Sequence, residues 1–149
     1  MKISKRLKTI CDLVPENKNI IDIGADHALT DIYLTKYKNC SCLATDISKG
    51  AIEQAQKNIN KYKVDVKTKV TDGLNDIKLK DEILIISGMG TNTIINILNK
   101  EITNDIIISS HTNNEILKKF MEEKNYYVYK EVALFEKHNY IITYYKIKK

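Results

Sequence analysis

The chain has 149 residues, 43% of them hydrophobic and 29% charged, which is the usage of an ordinary globular domain able to bury a full core. Five Gly and one Pro exclude a collagen-like or Pro-rich disordered chain, no apolar run approaches the roughly 20 residues of a membrane span, and residues 1–10 lack the apolar centre of a signal peptide, so a soluble, cytoplasmic protein is expected. The net charge of +5 permits an anionic partner, but Arg6 is the only arginine, and a solvated lysine surface accounts for the charge equally well.

Ser4 is placed to cap a helix over 4–14, with Leu7, Ile10, Cys11 and Val14 on one face, and Pro15 ends it. The apolar run 19–23 closes at Gly24 and reads as a buried parallel strand. A helix is expected over 28–37 and a strand over 40–45, which ends at Asp46 and points Cys40 and Cys42 to the same side. A helix over 48–61 has Ser48 at its N-cap and Ile52, Ala55 and Ile59 inward. Residues 64–70 alternate in period two and predict a strand. A strand over 81–87 runs into Gly88-Met89-Gly90, followed by a helix over 91–100 with Ile94, Ile95 and Leu98 inward. A strand over 105–109 and a helix over 113–124, with Ile116, Leu117 and Phe120 inward, precede two strands, 126–135 and 140–147, joined by a polar turn at 136–139. Strands alternating with helices predict an α/β fold, a doubly wound parallel sheet covered on both faces, to which the final hairpin adds one antiparallel strand. No linker interrupts the pattern, so 1–149 reads as a single domain.

In such sheets ligands bind beyond the carboxyl ends of the strands. Each of those ends carries a polar or glycine-containing turn: Gly24-Ala25-Asp26-His27, Asp46-Ile47-Ser48, Thr71-Asp72-Gly73 and Ser87-Gly88-Met89-Gly90. Gly24 stands alone where a dinucleotide fingerprint has three glycines; it suits either a tight turn or the close approach of a ligand. Asp46 follows about 20 residues later, where a carboxylate can accept from both hydroxyls of a ribose or serve as a cap. Asp72 can accept from an exocyclic adenine amine or close the turn at Gly73. Gly88-Met89-Gly90 is either a turn into a helix or an open shelf. Asp26 and His27 set an acid and an imidazole beside it, with helix capping as the other use of Asp26. His111 and His138 read as turn or surface residues. No P-loop, Ser/His/Asp or Cys/His arrangement is present. Cys11, Cys40 and Cys42 read as reduced thiols without the further ligands of a zinc site, so no metal is expected.

Ser4-Lys5-Arg6-Leu7 with Ile10 and Val14-Pro15, then Asp22-Ile23-Gly24-Ala25-Asp26-His27-Ala28, Asp72-Gly73-Leu74 and Gly88-Met89-Gly90 follow in an order and spacing that resembles the bacterial tRNA (adenine-22-N1)-methyltransferase family. The resemblance runs along nearly the whole chain. It implies a class I, Rossmann-like methyltransferase fold with a seven-stranded mixed sheet and a C-terminal antiparallel hairpin. It implies S-adenosyl-L-methionine as cofactor and methyl transfer to N1 of adenine in tRNA, while the apolar runs and cysteine spacing leave no membrane and no metal as expected partners and the oligomeric state undetermined. For that transfer Asp26 is expected to be the catalytic residue, a nearby carboxylate able to stabilise developing charge or take the amine proton. The cofactor residues implied are Asp22, Gly24 at the methionine-side turn, Asp46 at the ribose, Ile47, Asp72 at the adenine ring, Gly73 and Ser87. Substrate contacts are implied at Arg6, His27, Gly88, Met89 and Gly90, with Ser87 also facing the target base.

The chain departs from the family pattern at Leu29, where an aromatic residue is usual, at Asp31, where a proline is usual, and at Thr91, where a second glycine is usual. Ser109-Ser110-His111-Thr112-Asn113 replaces a Gln-Pro-Asn turn, and the sequence stops at Lys149, so the family's C-terminal helical hairpin is expected to be absent. These departures keep open two other readings: a methyltransferase of the same fold acting on a small molecule, and a non-catalytic binding protein.

Overall fold

The computed structural model describes residues 1–111 and 114–149. The sheet is built from β1 (Asn19–Ile23), β2 (Ser41–Asp46), β3 (Lys67–Val70), β4 (Ile83–Ile86), β5 (Ile106–His111), β6 (Tyr126–Glu136) and β7 (His138–Ile147), and its seven strands run in the order β3-β2-β1-β4-β5-β7-β6. β1 to β5 pair in parallel, and β7 is inserted antiparallel between β5 and β6. The sheet grows outward in one direction from β1 and in the other from β4. That reversal leaves a crevice at the carboxyl ends of these two neighbours, where a doubly wound sheet takes its ligands.

Alternation along the central strands sorts the core into two layers. Ile20, Ile83, Ile85 and Ile107 pack beneath α1 (Lys5–Leu13), α2 (Leu29–Lys38) and α3 (Lys49–Tyr62). Ile21, Ile23, Leu84, Ile86, Ile106 and Ile108 pack beneath α4 (Thr91–Leu98) and α5 (Glu115–Glu123). Strands covered on both faces can be apolar throughout, which is why their runs are continuous in the sequence. Local signals set the helix starts as expected. Ser4 Oγ accepts from the Leu7 N–H and Ser48 Oγ from the Ala51 N–H, each at 3.2 Å. Val14, held extended ahead of Pro15 (φ −82°, ψ 125°), stops α1.

Several boundaries differ from expectation. β3 begins at Lys67, because the left-handed Lys63 ends α3 and residues 64–66 are spent crossing to the sheet. β4 begins only at Ile83, and α4 stops at Leu98. β5 runs on to His111, since Ser109, Ser110 and His111 pair with Ile142, Ile141 and Tyr140 of β7. The expected four-residue turn at 136–139 is tighter: Lys137 takes a left-handed conformation (φ 64°), Glu136 pairs directly with His138, and His138 is a strand residue. Ile116 faces solvent at 70% exposure; α5 buries Leu117 and Met121, one helical turn apart, and leaves Ile116 off that stripe. The expected start of this helix at Asn113 and the neighbouring Thr112 lie outside the described residues.

Candidate functional site

The turns after β1, β2, β3 and β4 surround a cavity of about 600 Å³, the size of a small-molecule site. The first turn is tightly wound. Gly24 (φ 76°) donates its N–H to Thr45 O at 3.0 Å, and Ala25 donates to the same oxygen at 2.8 Å. Asp26 (φ 52°) and Ala28 (φ 60°) follow in the left-handed region, which costs a residue with a side chain and points to a turn held by its surroundings. A Cβ on Gly24 would stand 2.3 Å from Met89 Cε, so Met89 packs directly over the glycine of the β1 turn. Asp26 and His27 project at the rim with Oδ2 and Nε2 3.7 Å apart, both more than half exposed, so solvent screens the pair. Asn58 of α3 donates to His27 O at 2.9 Å and ties the turn down.

Asp46 ends β2 and braces this turn. Its Oδ2 accepts from the Asp26 N–H at 3.2 Å and its Oδ1 from the Ser48 N–H at 3.0 Å. Ser48, not Asp46, caps α3, and each Asp46 oxygen keeps a further acceptor site. The turn after β3 closes through Asn75 N–H to Asp72 O at 3.0 Å and Thr71 Oγ1 to Asn75 O at 2.6 Å. The Asp72 carboxylate takes no part in that closure. Gly73 (φ 58°) is pressed against Ile97 of α4, which a Cβ would approach to 3.1 Å.

After β4, Ser87, Gly88 and Met89 form one wall, and a Cβ on Gly88 would meet open space. Arg6 and Leu7 of α1 close another side. Every site residue expected from the sequence lines this cavity except Gly90, which begins α4 and faces a separate groove with Thr91 and Glu115. Leu29, Thr30, Thr93, Asn96 and Ile97 join the lining without having been expected. Leu29, Thr30 and Thr93 belong to the first turns of α2 and α4, and Asn96 and Ile97 to the last turn of α4; packing brings all five to the strand ends.

Asp22 is the floor of the site, in the middle of β1 and 3% exposed. Opposite it stands Asp31 of α2, fully buried. Asp22 Oδ1 and both oxygens of Asp31 have no hydrogen-bond donor, so the acids can bond to each other only if one keeps a proton. Burial raises both carboxyls, and Asp31 is raised further by the Asp22 charge, so Asp31 is the acid that holds its proton to higher pH. Asp22 is pushed up to about 6, by burial first and then by the Asp46 charge, with its bond to Asp31 working the other way. Burial also pushes the Cys11 thiol up to about 12 and raises Cys42, which leaves both unreactive. Among the described residues, no group of three or more His, Cys, Asp and Glu could hold a metal ion, and no helix is long and apolar enough to cross a membrane.

A family model for a methyltransferase domain matches residues 3–147. The chain is 31% identical over 102 residues to the tRNA (adenine(22)-N(1))-methyltransferase of Bacillus subtilis (strain 168), a match spanning 66% of this chain and 43% of that protein. It thus spans less than half the length of that curated relative. The structure of M. capricolum TrmK in complex with S-adenosyl-homocysteine is similar with a TM-score of 0.90 at 28% identity, covering 100% of this chain and 70% of that one. The B. subtilis M1A22 tRNA methyltransferase TrmK is similar with a TM-score of 0.87 at 26% identity, covering 99% of this chain and 68% of that one.

Proposed function

The chain belongs to the methyltransferase-domain family, and from that premise we propose that residues 1–149 act as one unit that transfers a methyl group from S-adenosyl-L-methionine to N1 of adenine in tRNA, in the cytoplasm. The feature that carries this reading is the convergence of Asp22, Asp46 and Asp72 with the Gly24 turn and the Ser87-Gly88-Met89 wall around one cavity. The donor set fits the cofactor. Asp46 keeps acceptor sites suited to the two hydroxyls of a ribose, Asp72 has a carboxylate free for an exocyclic amine, and Asp22 Oδ1 is a buried acceptor without a donor, suited to an ammonium. When bound, S-adenosyl-L-methionine supplies a methyl group activated on a positively charged sulfur.

The residues of the chain contribute mainly position. Adenine N1 carries a lone pair and needs no base before it attacks. Methylation leaves the ring cationic, and the exposed Asp26 carboxylate, on the turn braced by Asp46, stabilises that charge and can accept a proton from the exocyclic amine. His27, Gly88 and Met89 border the base. N1 lies on the pairing edge, so the base has to be unpaired or flipped out. Arg6 and neighbouring lysines hold phosphates, which makes binding salt-dependent.

The experiment is transfer of labelled methyl to two tRNAs, one with adenine at the target position and one with that adenine replaced. Label is expected in the first alone; equal incorporation overturns the reading. In parallel, Asp26→Ala is expected to bind cofactor normally and to lose turnover, and retained turnover removes Asp26 from the chemistry.

A further inference from the structure

At the carboxyl edge of the sheet, beside the cavity and on the α1 face, lies a cluster of π-bearing side chains. His111 ends β5, and Tyr140 is its register partner on β7. Their rings stack with centroids 5.4 Å apart and planes 25° from parallel. His138 stands edge-on to both, at 6.2 Å from His111 and 6.3 Å from Tyr140. The Arg6 guanidinium lies 5.2 Å from the centre of the Tyr140 ring, and Arg6 also lines the cavity, so cluster and cavity are continuous. The nearby acid, Glu136, is turned to the Arg6 backbone N–H at 2.9 Å, where it satisfies a free donor in the first turn of α1. Among the described residues Arg6 enters no ion pair, and its charge stays available.

Position and composition together identify the ligand. β5 lies between β7 and β4, so His111 stands between Tyr140 and the turn at residues 88–90. Among the described residues lining the cavity there is no Phe, Tyr or Trp. The imidazole of His27 is the one π-face among those described residues and sits on the β1 side of β4, so a base extruded to that turn would recover no stacking from the wall on the β5 side. The exposed imidazole of His111, continued by Tyr140 and Arg6, offers a π-face at the right edge of the cavity, together with a cation for the adjoining phosphate. Resting on the RNA reading above, we propose that His111, backed by Tyr140 and Arg6, is a stacking platform for the unpaired nucleobase of the RNA substrate that enters beside residues 88–90.

The test measures fluorescence anisotropy of labelled substrate tRNA without cofactor, along with kcat/KM for methyl transfer, in wild type, His111→Ala and His111→Tyr. Loss of one stacking partner is expected to weaken tRNA binding and lower kcat/KM by about ten-fold in His111→Ala. His111→Tyr recovers most of that loss, and cofactor binding by calorimetry is unchanged in both. The exposed position makes misfolding an unsuitable explanation, which melting temperatures check directly. Wild-type action on tRNA with an equally active His111→Ala overturns the platform alone. Equal impairment of His111→Ala and His111→Tyr also overturns it, because an imidazole-specific role is not stacking. Failure of the wild type to bind or methylate tRNA overturns the RNA reading itself, and the platform with it.

Discussion

Asp22 of β1 and Asp31 of α2 are a pair of buried acids, and both carboxyls are raised, Asp31 the further of the two. Burial disfavours both carboxylates, the Asp46 charge adds to this at Asp22 and the Asp22 charge at Asp31, and both carboxyls therefore titrate above the ordinary carboxylate range. The unfolded chain gives up these protons near pH 4, whereas the folded chain keeps them until higher pH. The folded state thus binds more protons between those limits. The pair's contribution to stability is fully present below about pH 4 and is lost as pH rises through about 6 and beyond. Asp31→Asn removes the second acid and supplies an amide donor to Asp22. It is expected to raise stability at pH 8 by about 1–3 kcal/mol, the scale of satisfying a buried polar group, with the gain shrinking toward pH 4. Denaturant titrations of both proteins across that range provide the check, and a gain that grows on acidification would contradict the raised carboxyls.

With Asp22 in the proposed cofactor site, cofactor binding is expected to depend on pH. The Asp22 carboxyl, raised to about 6, is neutral in acid and becomes an acceptor for a positively charged ligand group as pH rises through that value. Affinity for S-adenosyl-L-homocysteine is expected to increase from pH 5 to pH 7. Asp22→Asn should bind more weakly at neutral pH and lose the dependence. Calorimetry at several pH values decides this, and a flat wild-type profile would rule out a role for the Asp22 charge.

Asp46 joins two turns and keeps acceptors directed to the cavity. Its replacement by Ala removes a charged acceptor from two backbone N–H groups as well as from the ligand. With hydrogen bonds to a charged group worth about 1.5–3 kcal/mol each, a loss of cofactor affinity of at least about ten-fold is expected. Asp46→Asn is also expected to bind poorly, since its amide must present a donor to one of those N–H groups. An Asp46→Ala protein that binds cofactor like wild type would exclude Asp46 from the site.

Gly24→Ala combines a left-handed backbone with a Cβ 2.3 Å from Met89 Cε. The Met89 side chain can swing aside, but the backbone strain cannot be relieved that way. A destabilisation of about 1 kcal/mol or more is expected, with weaker cofactor binding as Met89 leaves its place. Adding Met89→Ala should remove the clash and not the strain. Full recovery of stability in the double variant would show that steric crowding alone requires Gly24.

The elements were legible where local chemistry decides them. Ser4 and Ser48 cap the helices expected of them, and Ile52, Ala55 and Ile59 occupy the buried side of α3. The polar strand ends were legible as well, because a doubly wound sheet brings consecutive carboxyl ends to one edge. Ile116 was not, since apolar character alone cannot distinguish neighbouring helical positions at the border of a buried stripe. The extension of β5 to His111 was hidden for a related reason: Ser109, Ser110 and His111 have no strand pattern of their own and are held by pairing with β7. At Asp46 the sequence left ribose binding and capping open, and the structure shows a third use, the bracing of the Gly24 turn.

The sequence by itself determined the kinds of element, their order and the concentration of acids and glycines at strand ends, because these follow from side-chain periodicity, helix caps and turn conformations among near neighbours. Only the tertiary structure decided that β7 enters between β5 and β6, that Gly90 turns away from the cavity, that Asp31 meets Asp22 and that Arg6, His111 and Tyr140 form one stack. Those relationships join residues far apart in the chain, where pairing register and burial select one arrangement among several that the same local pattern would permit. The +5 charge shows the same division: composition left it equally a solvated surface, and folding set Arg6, the one arginine, between the cavity and an aromatic stack.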